Sequence, residues 1–134
     1  MAYGWHFQFL TIHGLFFSFL AFGLGFLGDL TLSSKLFRWK NAICVFAAPL
    51  EVLISLMYWG IRSIDVSLLG SPEMELALLP DIGFHLAPAL FLAIDLVLFS
   101  PPWTIPAYTV LSLITVYAGM YWYWVELCYF HNGW

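Results

Sequence analysis

The chain has 134 residues, 63% of them hydrophobic and only 9% charged, with a formal net charge of -4. A soluble domain needs about a quarter of its residues charged to clothe its surface, so this composition, with a mean hydropathy of +0.90, excludes an ordinary water-soluble globule and makes lipid the expected solvent. Four Lys and Arg in all leave no basic patch to neutralise a phosphate backbone, which argues against nucleic acid as a partner.

The aromatic fraction includes seven Trp and seven Tyr, residues whose amphipathic rings gather at membrane interfaces. Residues 1–8 lack the positive n-region of a signal peptide, so the first apolar run is expected to stay in the mature protein. Four runs of about 20 residues are long enough to cross a hydrocarbon core as helices. They fall at residues 7–27, 41–61, 83–99 and 105–130, within one transmembrane domain over 1–134. The third is short, and Pro88 is expected to kink it. The first connection carries Asp29, Lys35, Arg38 and Lys40. The second carries Arg62, Asp65, Glu73, Glu75 and Asp81, and the third is the tight Ser100-Pro101-Pro102 turn. The expected fold is an all-α polytopic bundle of about four helices, without internal repeats.

Lys and Arg number three in the first connection against one in the second, so the positive-inside rule places the first in the cytosol. Met1, the acidic second connection and Trp134 then share the opposite side. Cys44 and Cys128 sit in apolar runs without metal-ligand spacing and read as packing residues; neither a metal nor a cofactor is expected.

Helices in lipid recognise one another through small and polar residues, so a stripe of these at 3.6 spacing marks the inward face. The first run carries Thr11, Gly14, Ser18, Gly25 and Asp29. The second carries Cys44, Ala47, Ala48, Glu51, Ser55 and Tyr58, and the fourth Ser112, Thr115, Gly119, Trp122 and Glu126. Packing accounts for the small residues. It does not account for the ionisable ones, because a charge deep in a bilayer costs at least about 2.5 kcal/mol and marks a site or a wet cavity. Glu51 and Asp95 lie near the midplane and are expected to face inward. Thr11, His85 and Glu126 lie shallow at the non-cytosolic end and could share one polar cavity. His13, about 200° around the helix from Thr11, points to lipid or another helix. Its bland reading is an interfacial histidine, as for His6 and His131. Thr11 could simply bond its own helix backbone, and His85 could be a satisfied core histidine.

The stretch Phe7-Gln8-Phe9-Leu10-Thr11, with its apolar helix ending in Gly28-Asp29-Leu30, resembles the start of the androgen-induced and androgen-dependent TFPI-regulating membrane proteins. Ala48-Pro49-Leu50-Glu51, Asp81-Ile82-Gly83-Phe84-His85 with Pro88, and Phe130-His131-Asn132-Gly133-Trp134 resemble the fungal branch of that family. The resemblance covers essentially the whole chain through order and spacing rather than one motif. It implies a six-helix intramembrane hydrolase that cleaves fatty acid esters of hydroxy fatty acids with a threonine nucleophile and a histidine, which fall here on Thr11 and His85. The family pattern has one helix before the threonine-bearing one and another after the His-Asn-Gly region, so about four of six are expected here. The implied partners are the lipid substrate and membrane lipids, in the endomembrane system or plasma membrane.

In that chemistry a neutral imidazole activates the hydroxyl, and Asp81 or Glu126 could orient the imidazole. No G-x-S-x-G elbow is present, which argues against an α/β-hydrolase. The rival readings are a non-catalytic membrane protein of the same family and a haem- or proton-carrying bundle.

Overall fold

The computed structural model describes residues 2–69, 76–102 and 105–133. A 3-10 turn, Trp5–Gln8, leads into α1, Leu10–Thr31. It ends where Leu32 takes a left-handed φ of 49° and its N–H returns to the Gly28 carbonyl, a helix-terminating conformation that usually falls to glycine. The next helix, α2, runs Ser34–Ile64, so the first connection is only Leu32 and Ser33. The expected start at residue 41 is therefore corrected: the charged stretch is helical because Lys35, Leu36, Arg38 and Lys40 are good helix formers. So short a link forces α1 and α2 into an antiparallel hairpin, sealed where Gly28 leaves room for the Phe37 ring, 3.2 Å from the position of a Cβ.

Beyond α2, Asp65 accepts the Ser67 N–H at 2.9 Å, and bonds from the Ser67 side chain and backbone hold its carboxyl below the usual carboxylate range. α3 covers Leu78–His85 and α4 Ala87–Ile94, with Pro88 in its first turn. The two meet at 42°, since a proline ring cannot be accommodated over the preceding helical turn. α4 continues as a π-turn, Asp95–Phe99, before Ser100 and Pro101, and α5 spans Ala107–Asn132. Among the described residues every regular element is helical.

The core is made of small side chains. Ala21 of α1, Cys44, Ala47 and Ala48 of α2, and Leu92 of α4 form its centre, which lets backbones approach closely where lipid supplies no hydrophobic drive. Large apolar residues point outward: Phe19 is 76% exposed, Val97 78% and Phe130 81%. In water such a surface would aggregate; in a bilayer it is solvated. α1 and α2 are each long and apolar enough to cross a membrane, and the bent pair of α3 and α4 meets the same length and apolarity only when taken together, as a broken span or a re-entrant loop. The protein is a polytopic all-α membrane bundle. The fourth expected span, α5, is long enough at 26 residues but falls short in apolarity because Tyr and Trp replace aliphatic residues along its second half.

Candidate functional site

The last turns of α2 and the short α3 build one polar cluster. Asp81 and His85 lie four residues apart, hence on one face of α3. His85 Nδ1 stands 2.9 Å from Asp81 Oδ1 and 3.2 Å from the Asp81 carbonyl oxygen. Both neighbours of Nδ1 are acceptors, so in a neutral imidazole the proton sits on Nδ1 and Nε2 carries the lone pair. Tyr58 of α2 stacks on the imidazole with ring centroids 3.5 Å apart and planes 1° from parallel. One turn on, Arg62 Nη1 lies 3.0 Å from Asp81 Oδ2, too oblique for a hydrogen bond, and 3.4 Å from the Tyr58 hydroxyl, to which it donates. Asp81 is completely buried. An ionised carboxylate out of solvent is tolerable only when paired, and its two partners are the guanidinium and the imidazole.

Thr11 is half-buried in the first turn of α1. Level follows from register. A Cβ on Gly14 would meet Glu51 and Ile54, and α2 runs antiparallel, so one turn back from Gly14 and one turn on from Ile54 bring Thr11 to the height of Tyr58, on which His85 stacks. α3 also packs against α1. The bonds of His85 go to Asp81, and none among the described residues joins Thr11 to His85.

Other expected residues lie elsewhere. Glu126 is exposed, as are Ser112, Thr115, Gly119 and Trp122, so the small-residue stripe of the fourth helix is not its inward face and Glu126 does not share the cavity. Ser112 and Thr115 donate to the Tyr108 and Leu111 carbonyls of their own helix. α5 docks instead through large aromatics whose polar tips reach backbone: Tyr121 donates to the Gln8 carbonyl at 2.7 Å and Trp124 to the Phe7 carbonyl at 2.9 Å. His13 faces that helix, Nε2 2.7 Å from the Phe7 carbonyl and Nδ1 2.6 Å from the Tyr117 hydroxyl. On α1 the buried line is Gly14, Ser18, Ala21 and Gly28, and Asp29 is exposed.

Away from this cluster, Glu51 is 1% exposed and accepts the Ser18 hydroxyl at 2.8 Å. At the other end of the bundle Lys40 pairs with Asp95, and Ser100 joins them at 3.2 Å from each. The pair borders a cavity of about 700 Å³ lined also by Phe22, Phe26 and Asn41. Among the described residues no three metal-binding side chains converge.

The family described as FAR-17a/AIG1-like protein matches residues 1–134. The chain is also 37% identical over 133 residues to the UPF0641 membrane protein PJ4664.05 of Schizosaccharomyces pombe, an alignment covering 98% of this chain and 60% of that protein. The chain thus spans about three fifths of the length of this relative. No solved structure matches.

Proposed function

The chain belongs to the FAR-17a/AIG1-like protein family, and on that premise we propose that it is an intramembrane hydrolase of fatty acid esters of hydroxy fatty acids, with Thr11 as nucleophile and His85 as base. The observation that carries this reading is the Asp81–His85 pair: a fully buried carboxylate holding Nδ1 is the arrangement that orients an imidazole to accept a proton at Nε2. His85 takes the Thr11 hydroxyl proton as the oxygen attacks the ester carbonyl carbon. The bond from that carbon to the hydroxy-acid oxygen then breaks, and the leaving oxygen takes the proton from His85. Water, deprotonated by the same imidazole, cleaves the acyl-threonine and frees the acid. The lipid-facing wall lets acyl chains enter from the bilayer.

The test is to label purified protein with a fluorophosphonate and map the adduct by mass spectrometry. Labelling at Thr11 that is lost in His85→Ala supports the reading; labelling only elsewhere overturns the nucleophile. The proton-carrying alternative has the buried Glu51 to draw on, but the bond of Glu51 to Ser18 makes it part of a helix contact.

A further inference from the structure

The Asp81–His85 pair leaves one strong group of the cluster without a task in the chemistry, the guanidinium of Arg62. Its contacts with described residues use Nη1 alone, towards Asp81 Oδ2 and the Tyr58 hydroxyl. Of the five N–H donors of an arginine, those on Nη2 and Nε therefore remain open among the described residues. The side chain is 28% exposed while that of Asp81 is fully covered, so the guanidinium stands at the rim of the cluster. Arg62 is also the chain's only Lys or Arg after Lys40.

A second, independent observation lies beside it. The Arg62 guanidinium sits 5.8 Å from the centroid of the Trp59 ring, and the indole N–H of Trp59 is buried with no hydrogen-bond partner among the described residues. A buried donor without an acceptor is rare in folded proteins. An open planar fork next to an orphaned N–H is a receptor for a planar anion with two oxygens.

We infer that Arg62, assisted by Trp59, binds a free carboxylate on the substrate, so that the site selects esters carrying an ionised acid over neutral esters. The inference rests on the hydrolase reading above and specifies its substrate.

The experiment compares a hydroxy-fatty-acid ester with its carboxyl-methylated counterpart, using the full chain in lipid nanodiscs. The unmodified protein is expected to favour the free acid through a lower KM. In Arg62→Gln the KM for the free acid should rise about ten- to a hundredfold, the effect of losing a charged hydrogen bond, and the two esters should become alike, with Arg62→Lys restoring part of the preference. Preference undiminished in Arg62→Gln overturns the inference. So does an equal fall in kcat on both esters, which would make Arg62 a positioning residue for Asp81. Should Arg62→Gln not fold, Trp59→Phe decides: a raised KM for the free acid alone supports the assignment, and no change overturns it. If the unmodified protein cleaves neither ester, the hydrolase reading fails separately, and photolabelling with a diazirine fatty acid and its methyl ester judges Arg62 alone. Preferential labelling by the acid, lost in Arg62→Gln, upholds the carboxylate site; equal labelling by both sinks it.

Discussion

The imidazole of His85 lies flat on the ring of Tyr58, centroids 3.5 Å apart, while its Nδ1 is held by Asp81. Stacking fixes the plane and the carboxylate fixes the tautomer, so together they aim Nε2. Asp81→Asn is expected to lower kcat by about 10²–10⁴-fold, the range supplied by a positioned base, since an amide can stabilise the wrong tautomer. Tyr58→Phe, which keeps the ring, should retain more activity than Tyr58→Ala. Initial rates with a hydroxy-fatty-acid ester, alongside circular dichroism to confirm folding, check both. Equal rates in Asp81→Asn and the unmodified chain would remove the orienting role.

Lys40 and Asp95 form an ion pair whose side chains are 8% and 16% exposed. Removing one partner strands a charge in a low-dielectric setting, and Lys40→Met is expected to destabilise the fold by about 3–5 kcal/mol. Replacing both, as in Lys40→Met with Asp95→Leu, should cost less than the single change, because no unpaired charge remains. Thermal unfolding in detergent measures the difference. A double variant less stable than either single one would contradict this.

Much of this was legible in the sequence where one signal dominated. Composition and run length gave the membrane bundle, and the small-residue stripe on α2 gave Ala47, Ala48 and Glu51 as inward residues, all of them buried. The same rule misled on α5, because it assumes that small residues mark contact, and there the contact is made by Tyr117, Tyr121 and Trp124 through their polar tips. The boundary at residue 41 was missed because hydropathy registers charge, not helicity, and Lys40 is counted as a loop residue until its partner Asp95, 55 positions on, is seen. Arg62 was visible only as a topogenic charge for the same reason. Asp81 was legible as a neighbour of His85 by its i,i+4 spacing; that it, and not Glu126, contacts the imidazole needed the facing of α5.

At Gly14 the α1 backbone lies close against the buried carboxyl of Glu51. A Cβ there would stand 2.7 Å from Glu51 Oε1 and 2.8 Å from Ile54 Cδ1, so Gly14→Ala should destabilise by about 1–3 kcal/mol through overpacking. Gly119, with nothing within 4 Å of its Cβ position, is the control, and Gly119→Ala should stay within about 0.5 kcal/mol of the parent. Unfolding midpoints compare them. Equal loss at both sites would refute close packing at Gly14.

The α1–α2 connection is expected to face the cytosol. Lys35 and Arg38 are exposed there, while Lys40 is neutralised by Asp95 and Arg62, at the opposite end, by Asp81. Among the described residues the bias of unpaired cations thus survives pairing. Cys44 and Cys128 are buried, so single cysteines at the exposed Ser34 and Ser67 report orientation in sealed vesicles. Ser34→Cys should react only with a cytosolic reagent and Ser67→Cys only with a non-cytosolic one; the reverse pattern would invert the topology.

Thr11 and His13 sit two residues apart, and the structure gives them different work. His13 links the Phe7 carbonyl to the Tyr117 hydroxyl, tying the N-terminal turn and α1 to α5, so both of its nitrogens are committed and neither is open to take a proton. Its replacement should therefore act on stability: His13→Ala removes the bond to the half-buried Tyr117 hydroxyl and is expected to lower stability by about 0.5–1.5 kcal/mol, yet to leave most of the hydrolysis at low temperature. Register brings Thr11 to the height of Tyr58, on which His85 stacks. Thr11→Ala and His85→Ala should each abolish hydrolysis of a hydroxy-fatty-acid ester; Thr11→Ala should unfold close to the parent temperature, whereas His85→Ala removes a partner of the buried Asp81 and should also lose stability. Paired assays of rate and unfolding midpoint separate the two kinds of defect. A Thr11→Ala protein that hydrolyses at the parental rate would end the nucleophile assignment, and a His13→Ala protein that keeps its stability but loses its activity would transfer the role of base from His85 to His13.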